Sequence, residues 1–174
     1  MSSQTNPLDG LDFIWTDGDD YIDNAGYAGK EVEFDDTDPT DTRKKRSGTP
    51  VRARLVKNAS GGVLAKNEAV KPVLTSASTA VEEVDKAGAG DLACGVVNDH
   101  IGSAGVAANA WFYAVFRGNN EVRSSAAITA GVVCKTAADG EAVTTAGTAA
   151  ETAYCQALVA ATGANEDILA RILL

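Results

Sequence analysis

The chain has 174 residues, 45% of them apolar but only 6% aromatic, enough for one ordinary domain or for one domain with an arm. Its 24 acidic and 15 basic side chains give a formal charge of −9, which argues against nucleic acid as a partner, because phosphate neutralisation needs clustered Lys and Arg. No stretch nears the roughly 20 apolar residues of a membrane helix, and the opening MSSQTNPLDG lacks the basic and apolar regions of a secretion signal, so a soluble chain with no membrane partner is expected.

The acidity is concentrated at the start. Residues 1–42 hold twelve acids against Lys30 alone, whereas the remainder is close to neutral. Such a split predicts an acidic, extended N-terminal arm over 1–47 and a β-rich domain over 48–174. Large residues are spaced along the arm, and a solvated tail rarely carries so much aromatic surface. Phe13, Trp15, Tyr21, Tyr27 and Phe34 are therefore candidate contacts to a neighbouring protein. The basic run Arg43, Lys44, Lys45 and Arg46 follows. It is placed with those contacts, as a patch that neutralises carboxylates or touches an acidic neighbour.

From Val51 the pattern is that of strands. Residues 51–56 (VRARLV) alternate apolar and polar, the period of a half-buried strand. Residues 58–62 (NASGG) read as a turn, and residues 68–73 as a further strand. Residues 92–98 (LACGVVN) and 110–117 (AWFYAVFR) are short apolar runs bounded by polar or Gly-rich turns. At the end, residues 154–161 and 168–174 read as a strand pair joined by a polar loop. Residues 64–71 (LAKNEAVK) resemble 128–135 (ITAGVVCK), and 95–98 resemble 157–160, so two diverged β-modules over about 51–123 and 124–174 are predicted. The fold class expected is mainly β, a small β-barrel or β-sandwich body with an extended N-terminal arm.

Chemistry is sparse. His100 beside Asp99 could be an oriented base, but neighbouring residues of a strand face opposite ways, so a surface or capping role is favoured. Asp17, Asp19, Asp20 and Asp23 offer oxygen ligands, yet an EF-hand register fails, since Ile22 and Ala28 fall where Gly and Glu belong. Cys94, Cys134 and Cys155 lie in apolar surroundings without CxxC spacing and read as buried free thiols rather than zinc ligands. Gly88-Ala89-Gly90-Asp91 lacks the continuation of a phosphate loop and reads as a turn. No catalytic residue, metal or cofactor is predicted, and an enzyme is not expected.

Over residues 48–123 the runs SGTPVRARLVKNASGGVLAKNEAVKPV and GDLACGVVNDHIGSAGVAANAWFYAVFRGNNEVR resemble the tailed-phage capsid decoration, or cement, protein family. The motifs are V-x-N-x-S-G at Val56–Gly61, G-V-x-x-D at Gly95–Asp99, and A-N-x-x-F-x-x-V-x-x-G at Ala108–Gly118. The stretch SAAITAGVVCKTAADGEAV is similar to the β-module of the same group, extending the likeness over roughly 48–174. The resemblance implies a structural virion protein, made in the bacterial host cytoplasm, that binds the outer face of an expanded phage capsid. It would bridge subunits of the major capsid protein and self-associate as a trimer or dimer. The alternatives are another minor virion component, such as a head-fibre base or tail protein, and a carbohydrate-binding domain reading sugars through residues 111–113.

Overall fold

A computed structural model of the chain describes residues 14–15, 29–74, 83–144 and 153–174. Its strands are β1 (Ile14–Trp15), β2 (Glu31–Phe34), β3 (Thr37–Asp38), β4 (Asp41–Lys45), β5 (Val51–Asn58), β6 (Ala69–Pro72) and β7 (Glu83–Lys86). They continue with β8 (Gly95–Val97), β9 (Trp111–Arg123), β10 (Val133–Thr136), β11 (Ala142–Thr144), β12 (Ala153–Ala157) and β13 (Asp167–Leu173). One 3-10 turn, Ala138–Gly140, accompanies them. The body is mainly β, as the strand patterns lead one to expect. All strands but the β3–β4 hairpin belong to one mixed sheet that curls on itself.

One circuit of strands occurs twice. In the first, β5 joins β9, β9 joins β8, β8 joins β6, β6 joins β7, and β7 closes back on β5 through the parallel pairs Lys57↔Glu83 and Asn58↔Val84. In the second, β9 takes the place of β5. It joins β13, then β12, β10 and β11, and the parallel bridge Ser124↔Ala142 closes the ring. The registers coincide: Val56↔Phe112 corresponds to Val122↔Ile168, Val70↔Gly95 to Cys134↔Cys155, and Val97↔Ala114 to Ala157↔Ala170. The bridges Leu64↔Val106 and Ile128↔Ala161 correspond as well. So do the left-handed residues Asn67 (φ 69°) and Gly131 (φ 88°), and Asn109 (φ 64°) and Asn165 (φ 61°), where Asn and Gly tolerate a conformation other side chains resist. The molecule is thus two small barrels sharing β9. Closing a sheet in this way removes most of its free edges. Residues 95–98 match 155–158 in this register, not 157–160; the repetitive small apolar residues let the sequence alignment slip by two.

β9 outruns its expected end. Residues 110–117 read as a strand stopped by Gly118-Asn119-Asn120, but pairing with β13 continues from Arg117↔Leu173 to Arg123↔Asp167. Gly118 makes the passage between barrels possible. Its φ of +100° is left-handed, and a Cβ there would lie 2.8 Å from the Pro50 carbonyl oxygen and 2.9 Å from the Val51 Cα.

Alternation explains the cores. The first barrel encloses Val56, Leu64, Val70, Val84, Val97, Ile101, Val106, Ala110, Phe112 and Ala114. The outer face of β5 and its neighbours contributes Val51, Ala53, Ala69, Val96 and Val115 to a second cluster, which continues into the second barrel through Val122, Ile128, Cys134, Tyr154, Ile168 and Ile172. Arg52 and Arg54 reach solvent from the first half of β5, but farther along the strand both faces are covered and the adjacent pair Leu55 and Val56 is buried, breaking strict alternation. The second barrel has Ala142, Ala157 and Ala161 where the first has Val84, Val97 and Val106, a difference of about 0.8 kcal/mol per missing methyl-sized group. Tyr154, fully buried beside a bulge in β12, restores some of that bulk.

Residues 29–47, expected as part of an extended arm, lie against the body. β2 pairs with β5 from Glu31↔Arg54 to Phe34↔Val51, and Arg54 and Arg52 form ion pairs with Glu31 and Glu33 at 2.7 and 2.9 Å. The hairpin of β3 and β4 turns at Asp38-Pro39-Thr40-Asp41, where the Thr40 amide and hydroxyl donate to Asp38 Oδ1 at 2.9 and 2.6 Å. These bonds hold the Asp38 carboxyl below its ordinary range.

Candidate interaction surface

The basic run divides by side-chain direction. Arg43, Lys44 and Lys45 are exposed, with Lys45 2.9 Å from Asp35 and Lys44 3.7 Å from Asp38. Such exposed pairs stabilise by no more than about 1 kcal/mol. Arg46 turns inward instead. Its Nε donates to Asp36 Oδ1 at 2.8 Å and its guanidinium Nη1 to Asp99 Oδ2 at 2.6 Å, and both carboxylates are almost fully buried. Ser47 Oγ and Asn119 Nδ2 donate to the other Asp36 oxygen at 2.7 and 2.8 Å, and the Glu121 amide donates to Asp99 at 3.1 Å. Asn120 Oδ1 receives the Asp99 amide at 3.2 Å. Burial works against the Arg46 charge, but Asp99 and Asp36 outweigh it and raise its affinity for the proton. Of the four bases proposed as a contact patch, Arg46 is a fastener of the chain to itself.

His100 belongs to the same network. Residues 98–100 form a turn, not the end of a strand, so the opposite-face argument does not hold; His100 Nε2 lies 3.6 Å from Asp99 Oδ1 and 3.3 Å from the Thr37 carbonyl oxygen. Burial depresses its proton affinity despite the Asp99 carboxylate nearby. Glu121, on the other side of Asp99, is pushed up by burial and by the Asp99 charge.

The aromatic candidates have separate outcomes. Phe13, Tyr21 and Tyr27 lie outside the described residues, as does the Asp17–Asp23 cluster. The Trp15 backbone pairs with Trp111, and Ile14 with Phe112. Phe34 is 8% exposed and packs in the second core cluster, so it seals β2 to the body and presents no surface to a partner. A sugar platform at residues 111–113 is not formed, because Trp111 and Phe112 are buried at 7% and 0% exposure. Gly88-Ala89-Gly90-Asp91 is a turn, with the Gly88 amide donating to Asp91 Oδ2 at 2.7 Å. Among the described residues no three His, Cys, Asp or Glu side chains gather to hold a metal ion, and no helix is long and apolar enough to cross a membrane.

A surface not read from the sequence lies at the free end of the second barrel. Thr49, Arg117, Gly118, Arg171, Ile172, Leu173 and Leu174 line an open groove of about 460 Å³. Arg117 and Arg171 are exposed, as is Leu173 at 49%. In the register of the duplication Arg117 stands where the first barrel has Val51, and Arg171 where it has Val115, both buried against the second barrel. Where one barrel has two valines on a covered face, the other has two arginines on an open one. Leu158 and Val159, at 36% and 51% exposure, add apolar surface to the same barrel.

No family model and no curated protein matches the chain. Among solved structures it is similar to the crystal structure of the N base of the head fiber gp8.5 of bacteriophage phi29, with a TM-score of 0.51 and 13% identity, over 82% of this chain and 94% of that one. The two share a fold.

Proposed function

We propose that this chain is a structural component of a phage head, a β-built base that sits on the shell and holds or covers part of its exterior, without catalysing a reaction. The observation that carries this reading is the fold likeness to a head-fibre N base, which spans nearly the whole of that solved chain. The capsid decoration role expected from the sequence would place the chain on the same particle, although no family model matches it and the fold likeness favours the head-fibre base. The double barrel, fastened internally by the Arg46 network, suits a rigid mount, and the exposed Arg43, Lys44, Lys45, Arg117 and Arg171 offer charge for a partner. The major capsid protein is the partner proposed, with self-association on the shell, and the virion the location.

Abundance separates a fibre base from a cement that bridges capsid subunits. In purified particles a fibre base occupies a limited set of positions, whereas a cement approaches the major shell protein in copies. Quantitative mass spectrometry of particles from the cells that make this chain gives the ratio. Absence of the chain from every particle fraction overturns both forms of the proposal.

A further inference from the structure

Cys134 and Cys155 stand directly opposite each other on β10 and β12, antiparallel neighbours at the centre of the second barrel. Directly opposed residues of antiparallel strands place their Cα atoms roughly 4.5–5.5 Å apart with side chains on one face, within the roughly 4.4–6.8 Å that a disulfide spans. Both thiols are free and fully buried, and the strand register sets them face to face. The strand circuit itself does not demand them, because the first barrel has Val70 and Gly95 in the same two places. They also sit in the barrel whose interior is the poorer in large side chains, with Ala142, Ala157 and Ala161 around it. Cys94, the third thiol, belongs to the first barrel and pairs with neither.

We propose that Cys134 and Cys155 are a site of covalent modification, forming an intrachain disulfide that staples β10 to β12 when the chain meets an oxidised thiol couple such as glutathione disulfide. As the strands come together during folding, one of the two thiolates attacks one sulfur of glutathione disulfide and expels a glutathione thiolate. The other cysteine, losing its proton, then displaces the second glutathione from the mixed disulfide. Two protein thiols are oxidised by two electrons, and one glutathione disulfide is reduced to two glutathione thiols.

The test uses the full chain, unfolded in urea and refolded in a reduced and oxidised glutathione mixture, so that burial does not shield the thiols. Remaining thiols are then trapped with iodoacetamide under denaturing conditions. The expected product has one carbamidomethyl group, on Cys94, and a peptide map joining the segments that contain Cys134 and Cys155. Adding dithiothreitol should lower its thermal midpoint by roughly 6–12 °C, the effect of opening a loop of this length. The Cys94→Ser variant should keep the bond, and Cys134→Ser or Cys155→Ser should lose it; where a Ser variant fails to fold, the wild-type peptide map decides. A chain that regains native circular dichroism with three alkylated thiols, or a map linking Cys94 to either partner, overturns the proposal.

Discussion

Replacing Arg46 by Met removes the cation between two buried carboxylates while keeping an apolar stem of similar length. In the native chain the guanidinium lies 2.8 Å from Asp36 and 2.6 Å from Asp99. At an effective dielectric constant near 20, each contact is worth on the order of 4 kcal/mol before desolvation is subtracted. The part that survives as stability is smaller. Stripping one member from a buried ionic network costs about 3–5 kcal/mol, because the charges left behind are neither paired nor hydrated. Asp36 retains Ser47 and Asn119 as donors and Asp99 retains the Glu121 amide, which places the expected loss near 3 kcal/mol. The pH dependence identifies the mechanism. A buried carboxylate without its cation takes up a proton more readily, so the native state of R46M binds more protons than its unfolded state as pH falls. The deficit relative to wild type, measured by urea unfolding, should therefore shrink between pH 7.5 and pH 5, and Asp36→Asn added to R46M should recover part of it. A loss under about 1 kcal/mol at pH 7.5, or a deficit that grows on acidification, would refute the reasoning.

Gly118→Ala should cost about 2–4 kcal/mol, because the new Cβ meets backbone atoms at 2.8 and 2.9 Å in a left-handed conformation. Gly62→Ala, with open space around it, should stay within about 0.5 kcal/mol in the same thermal or urea assay. His100 titrates lower in the folded chain than its ordinary 6.5, so its contribution to stability is complete above that pH and is lost as pH falls below it. His100→Gln should flatten the decline between pH 7 and pH 5.5 in unfolding free energy; unchanged slopes would dismiss the effect. Burial pushes the Cys94 thiol up to about 11, and iodoacetamide at pH 8 should alkylate it in the native chain many times more slowly than in urea.

The strand character of the body was legible because its apolar residues alternate or cluster over strand-length windows, as in β5 and the first half of β9. The pairing of β12 with β13 was legible from the polar loop that separates two short apolar runs. Three features were hidden, each for a physical reason. Asp36 and Asp99 look solvated in an acidic sequence, yet their cation, Arg46, approaches Asp99 only after the chain folds back over a separation of 53 positions. Gly118-Asn119-Asn120 looks like a turn, because Gly favours left-handed backbone and Asn is polar; both amides are spent inside, on Asp36 and on the Val97 carbonyl. The groove at Arg117 and Arg171 is a contrast between two copies of one circuit, visible only when the shared strand fixes their register. Phe34 was legible as an anchor, but the surface it anchors to belongs to its own chain.

The most direct measurement of whether this chain serves a phage head is its distribution in a lysate of the cells that make it. After density-gradient separation, quantitative mass spectrometry should find it in the fractions holding assembled heads, in a fixed ratio to the major shell protein. Recovery of the whole population as free protein, with none in the particle fractions, would contradict the account.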